Sequence, residues 1–507
     1  MNIASLCQPA FGSRADVEGL EFEGRRQTFA EIESEANRLA GRLRADGLVP
    51  GDRVAVYMKN SPELIVAYLA VVRSGFIFTP INILYRGGEI EHILSDAEPA
   101  VLFADRGAEK VLAPVLERLP SVRLHWTEDL AEFAAGQLPA APHPEDAEGA
   151  RTEQELTDDT VAALVYTSGT TGKPKGAMLT HGNFTANALN LTGAWQMTAE
   201  DRLLLSLPLF HVHGLGNGLH TWLALGYRVR LLERFLKETI ADELLDFRPT
   251  VFFGVPTMYE RLLETPAEKA REIGGFIRLF VSGSAPLPAA TLEKFRALFG
   301  HTILERYGMS ETLMNISNPY DGERRPGSVG LPMPNVSIRL CDPETGAEVE
   351  DGETGEVQIK GSNVFAGYWR RPEATAEAFT KDGFFRSGDL GMRSGDGYIT
   401  LQGRGKELII CGGFNVYPRE VEEFLTKLPG VREAAVVGVG DQLKGEVPVA
   451  FIVAAESEEP ESAALVQACR GGLASFKVPR RFVWVESLPR NALGKVQKHL
   501  LETTPRT

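Results

Sequence analysis

Cysteine is scarce in this 507-residue chain: Cys7, Cys341, Cys411 and Cys469 are the only four, and they lie far apart. No C-x-x-C pair and no metal-ligand spacing occurs among them, which argues against a disulfide frame and for a reducing compartment. Excess basic charge is missing as well. Lys and Arg number 53 against 68 Asp and Glu, giving a net charge of −15, and no stretch concentrates them as a nucleic-acid surface requires. No apolar run reaches membrane-spanning length, and the opening MNIASLCQPAFGSRADVEG lacks a signal-peptide pattern. Internal repeats and low-complexity tracts are absent. What remains is an ordinary globular composition, 43% hydrophobic and 24% charged. Its length predicts about three domain-sized units and its character a cytoplasmic setting.

What is present is alternation. Residues 28–45 (TFAEIESEANRLAGRLRA) carry apolar positions at helical spacing behind a Thr cap with Glu31 three residues on. DRVAVYM then predicts a strand, and SPELIVAYLAVVRSG a helix with Pro62 in its first turn and Gly75 closing it. FIFTPIN, GGEIEHILSDA and PAVLFAD continue the series. Such alternation implies an α/β fold with a largely parallel sheet covered on both faces. Residues 140–157 are polar and suit a connection. From Val336 the texture changes to short strands and turns. The expected organisation is a large domain over 1–403 with a β-rich subregion at about 336–403, then a small α+β domain over 404–507.

The richest stretch is YTSGTTGKPKG, Tyr166 to Gly176. The preceding VAALV reads as a buried strand and the following MLTHGNFTANALN as the start of a helix. Strand, glycine-rich loop and helix would let amides and hydroxyls wrap a polyanion. Gly169, Gly172 and Gly176 permit close approach, Thr167, Ser168, Thr170 and Thr171 supply hydroxyls, and Lys173 and Lys175 supply charge. No Walker spacing is present; a polar surface turn would use the same residues. Further along, His211 and His213 follow a strand end on a glycine-rich turn, suiting either a pocket wall or a satisfied loop. The small residues Ser282 to Ala285 end another buried strand, which leaves room for a flat ligand or for close packing. In LERYGMSET, Tyr307 could stack on a base and Glu311 with Thr312 could hold a hard divalent cation, although S-E-T also opens helices.

Taken in order, YTSGTTGKPKG, YGMSET, SGD, GRGKELI, GGFNVYP and LPRNALGK resemble the adenylate-forming superfamily of acyl-CoA synthetases, luciferases and adenylation domains. The resemblance runs along nearly the whole chain. It implies ATP, Mg²⁺ and coenzyme A, with Thr167, Ser168, Gly169, Thr170, Thr171, Gly172, Lys173 and Lys175 around the ATP phosphates. Ser284 and Ala285, with Glu305, Arg306 and Tyr307, would frame adenine, and Gly283, Gly308, Met309 and Ser310 would also bind ATP. Glu311 with Thr167 would bind the metal, Asp389 the ribose hydroxyls, and Arg404 would sit nearby. Lys495 would approach the carboxylate and α-phosphate, Lys406 would be a hinge, and Gly412, Gly413 and Phe414 would line the pantetheine passage.

LPLFHVHGL, SGSAPL, NPYDGERRPG and GGFNVYP resemble malonyl-CoA synthetases more than fatty-acyl ones. That implies a small dicarboxylate, malonate or methylmalonate, whose second charge needs a partner inside a closed pocket. Arg324 is the residue assigned to it by resemblance, with Ser282 and His211 adding hydrogen bonds, and a guanidinium suits a carboxylate. Alternatively, Arg324 pairs with Asp321 or Glu323 on the surface. Two departures from the malonate pattern are Ser310 for Thr and His-Val-His for His-Thr-His. Other readings are a fatty-acid or other small-acid CoA ligase, a module loading a separate carrier protein, an inactive nucleotide binder, and a luciferase-like oxygenase.

Overall fold

The computed structural model describes residues 1–130, 156–167, 174–411, 414–441, 444–455, 461–491 and 494–501. Most of the polar connection at 140–157 therefore lies outside the described residues. The helix Phe29–Ala45 starts where its cap predicts: the Thr28 hydroxyl accepts from Glu31 N, and the Glu31 carboxylate accepts from Thr28 N. The helix Pro62–Arg73 is capped in turn by Ser61, whose hydroxyl accepts from Leu64 N. Each cap is worth about 1 kcal/mol.

The chain divides into two compact units, one of Met1–Arg324, Pro332–Ser337 and Ile359–Phe385, the other of Arg325–Leu331, Ile338–Gln358 and Arg386–Thr507. The first unit holds a six-stranded sheet in the order Arg123–Trp126, Val101–Ala104, Arg53–Tyr57, Ile77–Pro80, Val161–Thr167, Lys175–Thr180. Its pairings are parallel except the last. A larger sheet runs through Leu313–Ser317, Leu304–Met309, Leu279–Ser282, Val251–Gly254, Arg202–Leu205, Arg228–Leu231, Glu18–Phe22 and Arg25–Thr28. It too is parallel at its centre and antiparallel towards its edges. The fold is thus α/β with mostly parallel sheets.

Beneath the strand Leu279–Ser282 lies a run of aromatic contacts. Phe280 meets Phe295 edge-on at 4.9 Å, and Phe295 stacks on Phe299 at 4.3 Å. Burying each such side chain is worth roughly 1.5–3 kcal/mol, so the polar end of this strand stands on a rigid base.

In the second unit a five-stranded sheet combines Phe414–Val416, Ile409–Cys411, Gly445–Ala454, Val431–Asp441 and Arg481–Trp484. The strands Phe385–Arg393 and Ile399–Arg404 pair antiparallel, with Asp389 opposite Arg404. Residues from Arg386 onward in this ladder fall in the second unit. Among the described residues no helix is long and apolar enough to cross a membrane.

Candidate active site

Ser168, Gly169, Thr170, Thr171, Gly172 and Lys173 lie outside the described residues, but both stems of their loop are defined. The strands Val161–Thr167 and Lys175–Thr180 pair antiparallel with Thr167 opposite Lys175. The expected helix directly after the loop is corrected: it starts only at His181, capped by Thr180. The reason is long-range. Residues 366–369 lie alongside the second stem, with Met178 N donating to Gly367 O, Ala366 N to Met178 O and Trp369 N to Gly176 O, and this pairing holds 175–180 extended.

The stems converge on Glu311, which is 6% exposed. Its Oε1 accepts from the Thr167 hydroxyl at 3.3 Å and from the Tyr368 hydroxyl at 3.1 Å. Lys175 Nζ stands 5.1 Å from the centroid of the Tyr368 ring. Among the described residues no group of three or more His, Cys, Asp or Glu could cage a metal ion. One carboxylate beside a hydroxyl fits Mg²⁺ instead, which keeps waters and usually arrives with substrate phosphates.

Glu311 is aimed by a hairpin. The strands Leu304–Met309 and Leu313–Ser317 pair antiparallel around it, and a Cβ on Gly308 would collide with the Leu313 carbonyl oxygen, so this close approach needs glycine. Asn363 pins the turn, donating from Nδ2 to Thr312 O, Met314 O and Asn315 Oδ1 at 2.6, 3.0 and 2.9 Å. On the same hairpin the Glu305 carboxylate accepts from Leu287 N, and Tyr307 is mostly buried with its hydroxyl 3.6 Å from Met309 Sδ. Ser310 sits in the turn beside Glu311.

Ser282 ends its strand opposite Glu305. Ser284 takes a left-handed backbone conformation, φ 70°, which is strained for a non-glycine residue and is over-represented at functional sites. Its hydroxyl bonds His213 Nδ1 at 3.1 Å, and His213 N donates to His211 Nδ1 at 3.1 Å. Burial, with the Arg306 cation nearby, pushes His211 down to about 3 and His213 well below the ordinary histidine value; both rings are neutral at pH 7. Gly283 makes room for Arg306, because a Cβ there would press into the guanidinium. Arg306 is 4% exposed, and among the described residues neither its Nε nor its Nη2 has a hydrogen-bond partner. The Ser282 hydroxyl and His213 Nε2 are also buried without a partner among the described residues. Burial pushes Arg306 down to about 9, so it stays charged at neutral pH.

Arg324, the candidate partner of a substrate carboxylate, bonds main-chain carbonyls in this structure. Its Nε, Nη1 and Nη2 donate to the main-chain carbonyls of Pro319, Thr302 and Tyr320 at 3.3, 2.7 and 3.0 Å. All three donor nitrogens are thus tied to the chain itself.

The second unit gathers another set. Arg404 Nε lies 2.7 Å from Asp389 Oδ1. Loss of hydration and the Arg404 cation lower the Lys495 ammonium, while Asp389 and Glu407 act the other way. The Lys495 side chain is nonetheless exposed. Lys495 N donates to Asn491 Oδ1 at 3.0 Å, and Lys498 is fixed between Glu407 and Glu422 at 3.1 and 2.7 Å. Phe414 is 57% exposed and stacks on Phe476. Gly412, Gly413 and the Lys406 side chain lie outside the described residues.

Residues 9–369 match the AMP-binding enzyme family, and residues 420–495 match the AMP-binding enzyme C-terminal domain. The chain belongs to the AMP-binding enzyme family. The ATP-bound crystal structure of MatB from Rhodopseudomonas palustris is similar at TM-score 0.91 and 41% identity, covering 99% of this chain and 98% of that one. A feruloyl-CoA synthase of Amycolatopsis sp. is 37% identical over 93% of this chain and 92% of its own. A malonate–CoA ligase of Arabidopsis thaliana is 34% identical over 90% and 78%. This member of the family is therefore an adenylate-forming acid–thiol ligase that uses ATP and coenzyme A, while similarity alone does not select its acid.

Arg306, His213, Tyr368 and Asn363 stand out in the geometry more than in the sequence. The resemblance places Arg306 with adenine. The signal that separates it from Arg324 is burial without a partner, which becomes visible only after folding.

Proposed function

We propose that this chain joins malonate, or its methyl homologue, to coenzyme A through an acyl-adenylate. The observation that carries the acid is Arg306: a buried guanidinium with no acidic group at ion-pair distance among the described residues. An isolated charge in that position is costly unless something pairs with it, and a carboxylate accepts two parallel N–H bonds from a guanidinium. Ser282 and His213, each with a buried polar atom unpartnered among the described residues, suit the same carboxylate. The malonate–CoA ligase among the relatives supports the reading.

In the first half-reaction an oxygen of the other carboxylate bonds to the α-phosphorus, the bond to the bridging oxygen breaks, and pyrophosphate leaves. Two anions meet, so positive charge must be in place beforehand. Lys495 is proposed to supply it, and the lowering of its ammonium pKa by desolvation and Arg404 accords with a lysine prepared for an anion. Glu311 and Thr167 would hold Mg²⁺, which supplies charge to the phosphates when bound. In the second half-reaction the thiol sulfur of coenzyme A attacks the acyl carbon and AMP departs. Asp389 is proposed for the ribose hydroxyls, and the C-terminal residues 404–507 for a mobile domain turning at Lys406, with Gly412, Gly413 and Phe414 along the thiol's path. A cytoplasmic setting belongs to the same reading, in keeping with four buried, unbridged cysteines.

The test is AMP release with ATP, Mg²⁺ and coenzyme A against acetate, butyrate, octanoate, malonate, methylmalonate and succinate. Malonate or methylmalonate should exceed butyrate, which is similar in size but lacks the second charge, by about a hundredfold or more in kcat/KM. A fatty acid at the head of that ranking would overturn the dicarboxylate reading.

A further inference from the structure

Tyr368 touches two groups of opposite charge at once. Its hydroxyl donates to Glu311 Oε1 at 3.1 Å, and its ring face carries Lys175 Nζ at 5.1 Å. No carboxylate lies within ion-pair distance of Lys175 among the described residues. The tyrosine itself is fixed from three sides. Its backbone bridges Ala177 on the second loop stem, its N donates to the Thr375 hydroxyl at 2.9 Å, and Phe365 packs edge-on against its ring at 4.9 Å. Thr167, opposite Lys175 across the hairpin, reaches the same Glu311 oxygen.

Brought together directly, Lys175 and Glu311 would neutralise each other, and a salt bridge would have to break before either could take a ligand. A tyrosine between them removes that competition. The hydroxyl orients the carboxylate without cancelling its charge, and the ring holds the ammonium through a cation–π contact worth about 0.5–1 kcal/mol where partly exposed. Both ions stay available, one for a divalent cation and one for a phosphate oxygen.

We propose that Tyr368 is a positioning residue that keeps Lys175 and Glu311 apart and aimed, so that nucleotide and its Mg²⁺ meet prepared charges of both signs. The inference rests on reading these stems as the ATP-phosphate site. It separates the two contacts: the hydroxyl serves the metal side, and the ring serves the phosphate side.

The experiment is calorimetric binding of a non-hydrolysable ATP analogue to the full chain, with Mg²⁺ and with EDTA, for wild type, Tyr368→Phe and Tyr368→Leu. Tyr368→Phe should leave metal-free binding unchanged and raise the Mg²⁺ concentration for half-maximal enhancement about tenfold or more, the effect of one hydrogen bond to a charged group. Tyr368→Leu should show the same metal defect and also weaken metal-free binding by about two- to fivefold. In a Glu311→Gln background, Tyr368→Phe should no longer change the Mg²⁺ dependence. Equal weakening by Phe with and without Mg²⁺, or a Phe variant indistinguishable from wild type in both, would overturn the division of roles. If wild type binds no analogue under either condition, the nucleotide-site reading itself falls, an outcome distinct from either of these.

Discussion

An unpaired guanidinium inside a protein works against the fold that holds it, because desolvation is not offset by a counter-charge. Arg306 is in that position, with Nε and Nη2 buried and, among the described residues, unpartnered. The consequence can be measured in both directions. Arg306→Met keeps the side-chain length and removes the charge, so the ligand-free protein should become more stable, by about 1–4 kcal/mol. The same variant should lose at least a hundredfold in kcat/KM for malonate, about 3 kcal/mol of transition-state binding, while butyrate turnover changes little. Denaturant midpoints and the acid panel check the two halves; lower stability together with equal losses on both acids would remove Arg306 from the acid site. Arginine fate is what the sequence could not reveal here. Arg324, beside a Pro-Gly turn, looks like a ligand group yet bonds three carbonyls. Arg306, inside a strand, looks structural yet leaves its Nε and Nη2 without a partner among the described residues. The difference lies in which carbonyls the folded chain brings near each guanidinium.

At the scale of elements, local chemistry marked the helix starts well. Thr28 with Glu31, and Ser61 with Pro62, are caps whose partners lie within three residues. The second flank of the glycine-rich stretch was not legible, since 175–180 is held extended by 366–369, far away in sequence. The Leu304–Met309 and Leu313–Ser317 hairpin is similar. Its turn carries Glu311, and its tight approach depends on Gly308. Gly308→Ala must move either strand or the Leu313 carbonyl, at a cost of about 1–3 kcal/mol from overpacking. The displaced turn would shift Glu311, and an error of about 1 Å in a positioned group can cost a hundredfold. Expected is a tenfold to hundredfold fall in pyrophosphate exchange from a protein that still melts cooperatively. Normal exchange would mean that the hairpin's tightness does not aim Glu311.

For the molecule as a whole, acid is the telling perturbation. His181, His213 and His220 are at most 2% exposed. Burial pushes His181 to about 4 and His220 to about 3, and burial with the Arg306 cation pushes His213 well down. In the unfolded chain a histidine titrates near 6.5. Above that value neither state binds the proton and stability is complete. Below it the unfolded chain takes up protons that the folded one refuses, so stability falls as pH drops towards the folded values. Each histidine contributes a slope of about 1.4 kcal/mol per pH unit in that window. A countervailing effect exists, since the net charge of −15 is relieved by acid and with it some self-repulsion. That relief is spread over an exposed surface and screened by salt, whereas the histidine effect is local and buried. The urea midpoint should therefore fall steeply from pH 7 to pH 5, even in 0.2 M salt. His181 Nδ1 accepts from Ile3 N at 3.2 Å, and an amide oxygen can take over that bond. His181→Asn should then reduce proton uptake on unfolding by about one at pH 5 while leaving the pH 7 midpoint within about 1 kcal/mol of wild type. A midpoint that holds or rises from pH 7 to pH 5 would mean that charge relief outweighs the three buried rings.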